Sequence, residues 1–166
     1  MIPRPILDYL DEHGVHARVL QHPKAVTAQK LAEALHVSGK AVAKTVAFEA
    51  DGQIWLAVIP ANERLDLGRV QQALGTVRVR LLREDEFGRV FHHCEVGAEP
   101  PFGHLFGVPM LVDDGFRRHR EVVVRAGTHT DSLLMTAEDL ANMEAPKWAS
   151  IAVLRETGEP QSPTSP

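Results

Sequence analysis

Apolar positions in this chain follow two spacings, and their alternation lays out the elements. Val42-Ala43-Lys44-Thr45-Val46-Ala47-Phe48 has strand character, follows a loop-like Ser38-Gly39 and leads to Asp51-Gly52, a strong hairpin signal. Side chains of a strand alternate, so Val42, Lys44, Val46 and Phe48 share one face and Ala43, Thr45 and Ala47 the other. Ile54-Trp55-Leu56-Ala57-Val58-Ile59, closed by Pro60, is almost unbroken, which predicts a central strand covered on both faces. Helical spacing appears at Ile6, Leu7 and Leu10, ended by Gly14, and in residues 28–37, where Thr27 serves as N-cap, Ala28, Leu31 and Leu35 keep the period, and Gly39 ends the element. Asp66 caps a further helix carrying Leu67, Val70 and Leu74, with Gly75 as its stop. Glu84, Asp85 and Glu86 open another through Phe87, Val90 and Phe91, and Thr136 opens the last. Further strands are predicted at 15–20, broken by His22-Pro23, and at 77–81, 109–112, 121–125 and 132–135. Strands joined by a hairpin and strands alternating with helices together predict a mixed sheet in an α/β domain. Residues 1–155 are expected to form one domain. The Pro-, Ser- and Thr-rich residues 156–166 are expected to be a disordered tail.

Composition narrows the classes. With 166 residues, 44% of them hydrophobic, the chain can bury an ordinary core. A net charge of -4 argues against indiscriminate coating of nucleic acid and leaves room for a protein that grips one RNA end through a local basic patch. The single cysteine, Cys94, allows no intramolecular disulfide and fits a reducing compartment. Met1-Ile2-Pro3-Arg4-Pro5 has no apolar signal core, and no apolar run reaches bilayer length. A soluble, cytoplasmic protein is expected.

Three features invite chemistry. Lys44 shares a strand face with Val42, Val46 and Phe48. Either it snorkels to water from the strand's start, or it lies at the floor of a pocket awaiting an anion. Pro100-Pro101-Phe102-Gly103 combines two fixed φ angles with a glycine, which suits an ordinary turn or a loop that presents bare backbone to a ligand. Gly127-Thr128-His129 puts a histidine just after a strand, as a solvated loop residue or a ligand contact. His92-His93-Cys94 lacks zinc spacing, since neighbouring residues rarely chelate one ion. Arg117-Arg118-His119-Arg120 is a solvated turn or a phosphate contact. Nucleophile-elbow, phosphate-loop and dinucleotide fingerprints are absent.

In order along the chain stand Lys44-Thr45, Leu56-Ala57-Val58-Ile59-Pro60 with Arg64-Leu65-Asp66-Leu67, Gly97-x-x-x-Pro101-Phe102-Gly103, Val108-Pro109 with Val112-Asp113, and Ala126-Gly127-Thr128-His129. In this series the sequence resembles the YbaK/ProX family of aminoacyl-tRNA editing domains, related to the insertion domain of bacterial prolyl-tRNA synthetase. The resemblance covers about residues 8–151. It implies a mixed, barrel-like β-sheet flanked by helices, and hydrolysis of the ester joining a mischarged amino acid to the tRNA 3′-terminal ribose; rigid apolar walls at Pro101 and Phe102 predict that the amino acid is small. It implies Lys44 and Gly103 as catalytic residues. His22, Thr45, Gly97, Pro101, Phe102, Gly127, Thr128 and His129 would contact substrate, with no metal, cofactor or side-chain nucleophile. His22-Pro23 with Thr27-Ala28 is similar to a freestanding subgroup acting in trans, for which a synthetase or elongation factor is a conceivable companion. Pro100 and Ala126 stand where relatives carry serine, which leaves the edited amino acid open. The competing expectations are a non-catalytic aminoacyl-tRNA or synthetase-associated binding module, and a metallohydrolase built on His92, His93 and Cys94.

Overall fold

The computed structural model describes residues 1–155; the expected C-terminal tail lies outside them. Its centre is the hairpin of β2 (Ala43–Ala50) and β3 (Gln53–Pro60), paired in register from Ala43↔Pro60 to Ala50↔Gln53. Asp51 and Gly52 turn it with φ of 46° and 88°, the double positive φ that suits the right-handed strand twist. β3 also pairs in parallel with β6 (Met110–Asp113), and β6 with β9 (Lys147–Ala149). β2 takes β5 (Val79–Leu81) on its other edge. The five-stranded sheet thus runs β5-β2-β3-β6-β9, with both parallel and antiparallel pairs.

A second sheet, β1-β8-β7, consists of Arg18–Gln21, Asp131–Thr136 and Glu121–Arg125. A small third one pairs β4 (Glu63–Leu65) with β10 (Ala152–Leu154). The sheets do not close into the barrel that the resemblance implied. Outside the ladders, β2 and β7 meet at one parallel bridge, Val42↔Val123, and the strands part beyond it.

Both faces of the hairpin are covered, as the unbroken run of β3 requires. Leu56 and Val58 enter the largest apolar cluster with Phe102, Phe116 and Val124. Ala57 and Ile59 enter a second with Val46, Phe48, Val70 and Ile151. Among the described residues six α-helices close the layers: α1 (Arg4–Glu12), α2 (Ala28–Ala34), α3 (Leu67–Leu74), α4 (Glu84–Phe87), α5 (Gly103–Phe106) and α6 (Ala137–Glu144). Thr27, Asp66 and Thr136 cap α2, α3 and α6 by accepting from the N–H groups of Lys30, Arg69 and Asp139, and Gly75 ends α3 at φ 65°.

Several boundaries differ from the sequence expectation. The first strand spans Arg18–Gln21 rather than 15–20, because Val15 and Ala17 already pack on the main cluster while Leu20 turns toward the α2 cluster and Val19 is half exposed. α2 stops at Leu35, with His36 taking φ 54°. Gly39 instead opens a short 3-10 turn, Gly39–Ala41, and accepts from the Ala61 N–H, with a Cβ there only 3.3 Å from Asn62 Cβ. Close backbone approach, not helix termination, is what a glycine serves there.

Candidate active site

The site grows from an interruption in β2. One edge of that strand pairs with β3 throughout. The other pairs with β5 over Phe48–Ala50, receives the Leu82 N–H at the Ala47 carbonyl, and meets β7 at the Val42↔Val123 bridge. Among the described residues no strand pairs with this edge over 44–46, so Lys44, Thr45 and Val46 border a notch between β5 and β7.

The Gly97–Gly103 loop is tied to the end of β7. Gly127 N–H donates to the Ala98 carbonyl at 2.8 Å, and Glu95 N–H donates to the Gly127 carbonyl at 2.9 Å. The loop is therefore clasped to the turn that follows β7. Its far end is fixed by the core. The Phe102 ring is fully buried, 5.5 Å from the Tyr9 ring, and Val108 N–H donates to the Gly103 carbonyl at 2.9 Å. A Cβ on Gly103 would stand 2.5 Å from the Val108 carbonyl oxygen. Phe102 thus anchors the loop rather than presenting its ring, and Pro101 beside it is buried as well.

Lys44 is only 4% exposed, and its Nζ has no hydrogen-bond partner. The structure rules out the snorkelling alternative. Burial, with a smaller contribution from the charge of Arg155, pulls the ammonium down to about 7. Two residues past the bridge on each strand stand Lys44 and Arg125, on the face that carries Val42 and Val123. Thr45 points to the opposite face with Ala43 and Ala47, its Oγ1 buried and unpartnered.

The turn after β7 is tightly made. Thr128 Oγ1 donates to Asp131 Oδ2 at 2.8 Å and accepts from Asp131 N–H at 3.0 Å, so Thr128 is committed to shaping the turn. His129 is buried with Nδ1 unpartnered, and its Nε2 lies 4.0 Å from Glu95 Oε2. His22 joins from α2's approach. Its N–H donates to the Thr130 carbonyl, its Nδ1 lies 2.9 Å from the Pro23 carbonyl and its Nε2 2.9 Å from Ser132 Oγ. A carbonyl only accepts, so Nδ1 carries a proton.

Glu99 and Arg125 are among the buried charges that escaped the sequence reading. Glu99 is 3% exposed, its Oε1 accepting from Gly97 N–H at 2.9 Å. Burial raises its carboxyl to about 7, against the Gly97 N–H and the Arg125 charge. Arg125 is buried with neither Nη1 nor Nη2 partnered, and burial lowers it to about 10 despite the facing charges of Glu99 and Glu95. The available signals were that Arg125 ends an apolar run and that Glu99 is the one charge between Gly97 and Gly103.

The other candidates are elsewhere or inert. His92 and His93 are exposed, while burial, and then the Glu99 charge, push the Cys94 thiol up to about 12, which makes it a poor nucleophile. Among the described residues no group of three His, Cys, Asp or Glu side chains could hold a metal ion. No helix among them is long and apolar enough to cross a membrane. A groove of about 820 Å³ lies at the Asp51–Gly52 end of the hairpin and contains none of the candidate residues.

Comparison with known proteins places the chain in a family. A protein of Bacillus subtilis (strain 168), named uncharacterized protein YwhH, is 25% identical over 129 residues, 76% of this chain and 81% of that one. The multifunctional Ser/Thr-tRNA deacylase ProXp-y of Escherichia coli (strain K12) is 24% identical over 147 residues, 86% and 87% of the two chains. A solved structure described as a candidate trans-editing enzyme for prolyl tRNA synthetase superposes with a TM-score of 0.81 at 23% identity, over 90% of this chain and 96% of that one. The aminoacyl-tRNA editing domain profile matches residues 22–143, a span from His22 through the notch, loop and turn, and the chain accordingly belongs to the aminoacyl-tRNA editing domain family.

Proposed function

We propose that this chain is a freestanding, trans-acting deacylase that hydrolyses the ester between a small amino acid and the 3′-terminal ribose of a mischarged tRNA. The observation that carries the reading is the buried, unpartnered Lys44 ammonium in the stretch of β2 that no second strand pairs. A buried cation without a partner is costly unless a ligand anion meets it. An aminoacyl ester is already activated, so holding it and a water in line and stabilising the developing charge supply the needed acceleration. In this reading Lys44 meets a phosphate or the developing negative charge. Gly103 and Gly97 allow the loop backbone to approach, and Pro101 walls the aminoacyl group. Thr45, Gly127, Thr128, His129 and His22 border or shape the acceptor-end site, and Phe102 acts through the loop it anchors.

The amino-acid preference follows from rigidity. Pro101 has a fixed φ and Phe102 is locked in the core, so the wall discriminates by excluding what is too large. The name of the Escherichia coli relative, a Ser/Thr-tRNA deacylase, points the same way. In a panel of mischarged tRNAs, alanyl, seryl or threonyl esters are expected to be hydrolysed and phenylalanyl esters spared. Equal turnover of alanyl- and phenylalanyl-tRNA would remove the size filter. Binding of aminoacyl-tRNA with no turnover across the panel would show a binding module instead.

Metal removal provides a separate check. Since no three ligand side chains converge among the described residues, turnover should be unchanged after EDTA treatment and dialysis. Stoichiometric zinc together with chelator-sensitive hydrolysis would reinstate His92, His93 and Cys94 as candidates.

A further inference from the structure

We propose that the turn entering β7, through Arg117, Arg118 and Arg120, grips the phosphate backbone of the tRNA's helical arm, away from the ester site. The proposal rests on the tRNA substrate of the deacylase reading and names the surface that holds the body of that substrate. Its first support is charge. Three of the four residues Arg117-Arg118-His119-Arg120 are arginines, in a chain of net charge -4. An acidic chain repels a polyanion unless its cations are gathered in one place. The other arginine-rich stretch, residues 78–83, is largely occupied. Arg80 is forked onto Glu86 and bonds Glu49, and Arg83 pairs with Asp85. Among the described residues the side chains of Arg118 and Arg120 make no hydrogen bond or ion pair, and both are exposed.

The second support is that the turn is built to hold still. Phe116 is buried beneath it, and Asp113 Oδ2 accepts from Gly115 N–H at 2.9 Å while Oδ1 accepts from the N–H groups of Ile151 and Ala152. Arg117 Nε donates to Asp114 Oδ1 at 3.3 Å, and its guanidinium lies 4.3 Å from the centre of the Trp148 ring. The planar fork is thereby oriented with its terminal nitrogens outside that bond, the geometry that suits a phosphate. A groove of about 470 Å³ runs between the turn and the start of α6, bordered by Arg117, His119, Arg120, Thr136 and Trp148, with Glu138 as the acid on its lining. On the turn's other side Arg118 and His119 border a smaller groove with Lys40, where Glu63, Asp113 and Asp114 offset the charge. The face of Arg117 and Arg120 is the more positive one, although exposed Glu121 follows it.

The third support is place. β7 meets β2 in parallel at Val42↔Val123. Arg120 precedes Val123 by three residues and Lys44 follows Val42 by two, so about five residues of strand, roughly 17 Å, separate their levels. The turn therefore lies outside the ester site yet on the same pair of strands. One RNA arm can rest its helix on the turn and deliver its 3′ end to Lys44.

The test is fluorescence anisotropy of a labelled, uncharged tRNA transcript over a salt series, with wild-type protein, the double variant Arg118→Gln/Arg120→Gln and the control Arg4→Gln/Arg89→Gln. The control removes the same charge from exposed positions on α1 and beyond α4. The double variant should bind about 10-fold more weakly or worse, with a plot of log affinity against log salt shallower by about 2. In single-turnover deacylation the protein concentration giving half the maximal rate should rise by the same factor. Melting curves check folding, and if the double variant does not fold the two single variants decide, each with a slope change of about 1. Wild-type affinity and slope in the variant, or an equal loss in the control, overturns the surface and leaves the deacylase reading standing. Poly-glutamate that competes as well as tRNA at equal charge shows a surface for acidic protein and overturns the RNA assignment. A wild-type protein with no affinity for the tRNA at low salt also overturns it, whatever the panel of esters shows. Arginine-dependent binding with no turnover in the panel keeps the surface and defeats the deacylase reading.

Discussion

Lys44→Ala is expected to lower deacylation about 100- to 1,000-fold and to leave the protein folded. The ammonium is almost fully buried and unpartnered, so in the free protein it is an expense to stability, and its removal takes away no hydrogen bond. The sign follows from linkage. Its folded pKa of about 7 lies below the ordinary lysine value of 10.5, so the unfolded chain binds this proton first as pH falls. The penalty is absent above the ordinary lysine range, grows as pH drops toward 7, and is complete below it. Lys44→Ala should therefore melt at or above the wild-type temperature, with the largest advantage below pH 7. Lys44→Arg should also be slow, because a planar fork does not replace a compact ammonium in a closed site. Lys40→Ala, at an exposed position in the 3-10 turn before β2, should lose little. Rate and melting temperature for the three variants decide the matter. Near wild-type turnover in Lys44→Ala, or loss that tracks unfolding, would sink the assigned role.

Gly103→Ala is expected to act through the loop. The new Cβ would meet the Val108 carbonyl oxygen at 2.5 Å and Met110 Cγ at 2.6 Å. The methionine can swing aside, but the carbonyl belongs to a backbone whose N–H is bonded back to Gly103. Overpacking of this kind typically costs about 1–3 kcal/mol, and moving the loop by an ångström costs about 100-fold in rate. Gly88→Ala is the control, since its φ is -60° and nothing lies within 4 Å of its Cβ. Wild-type turnover in a folded Gly103→Ala protein would show that the loop backbone does not set the reacting geometry.

Local pattern carried much of this. The apolar run of β3, the Asp51-Gly52 turn and the caps at Thr27, Asp66 and Thr136 are short-range effects, and each appears where the residues predict it. β4, β9 and β10 left no signal because each has three residues, too few to show a period, and each exists through its partner strand. The ends of β1 and α2 moved for similar reasons, as packing of Val15 and Ala17 and the close approach at Gly39 overrode local spacing.

The candidate site divides along the same line. Lys44, the Gly97-x-x-x-Pro101-Phe102-Gly103 loop and the Gly127-Thr128-His129 turn stand out in the sequence because each breaks the pattern around it, and their order along the chain carries the family resemblance. Burial of Lys44 depends on what covers a strand, the inward turn of the Phe102 ring depends on Tyr9, and the Glu99–Arg125 relation joins residues 26 positions apart by number. Desolvation and charge coupling act through space, so a sequence names the groups, while the packing of sheets and loops decides which are buried, which face one another and which pKa values move.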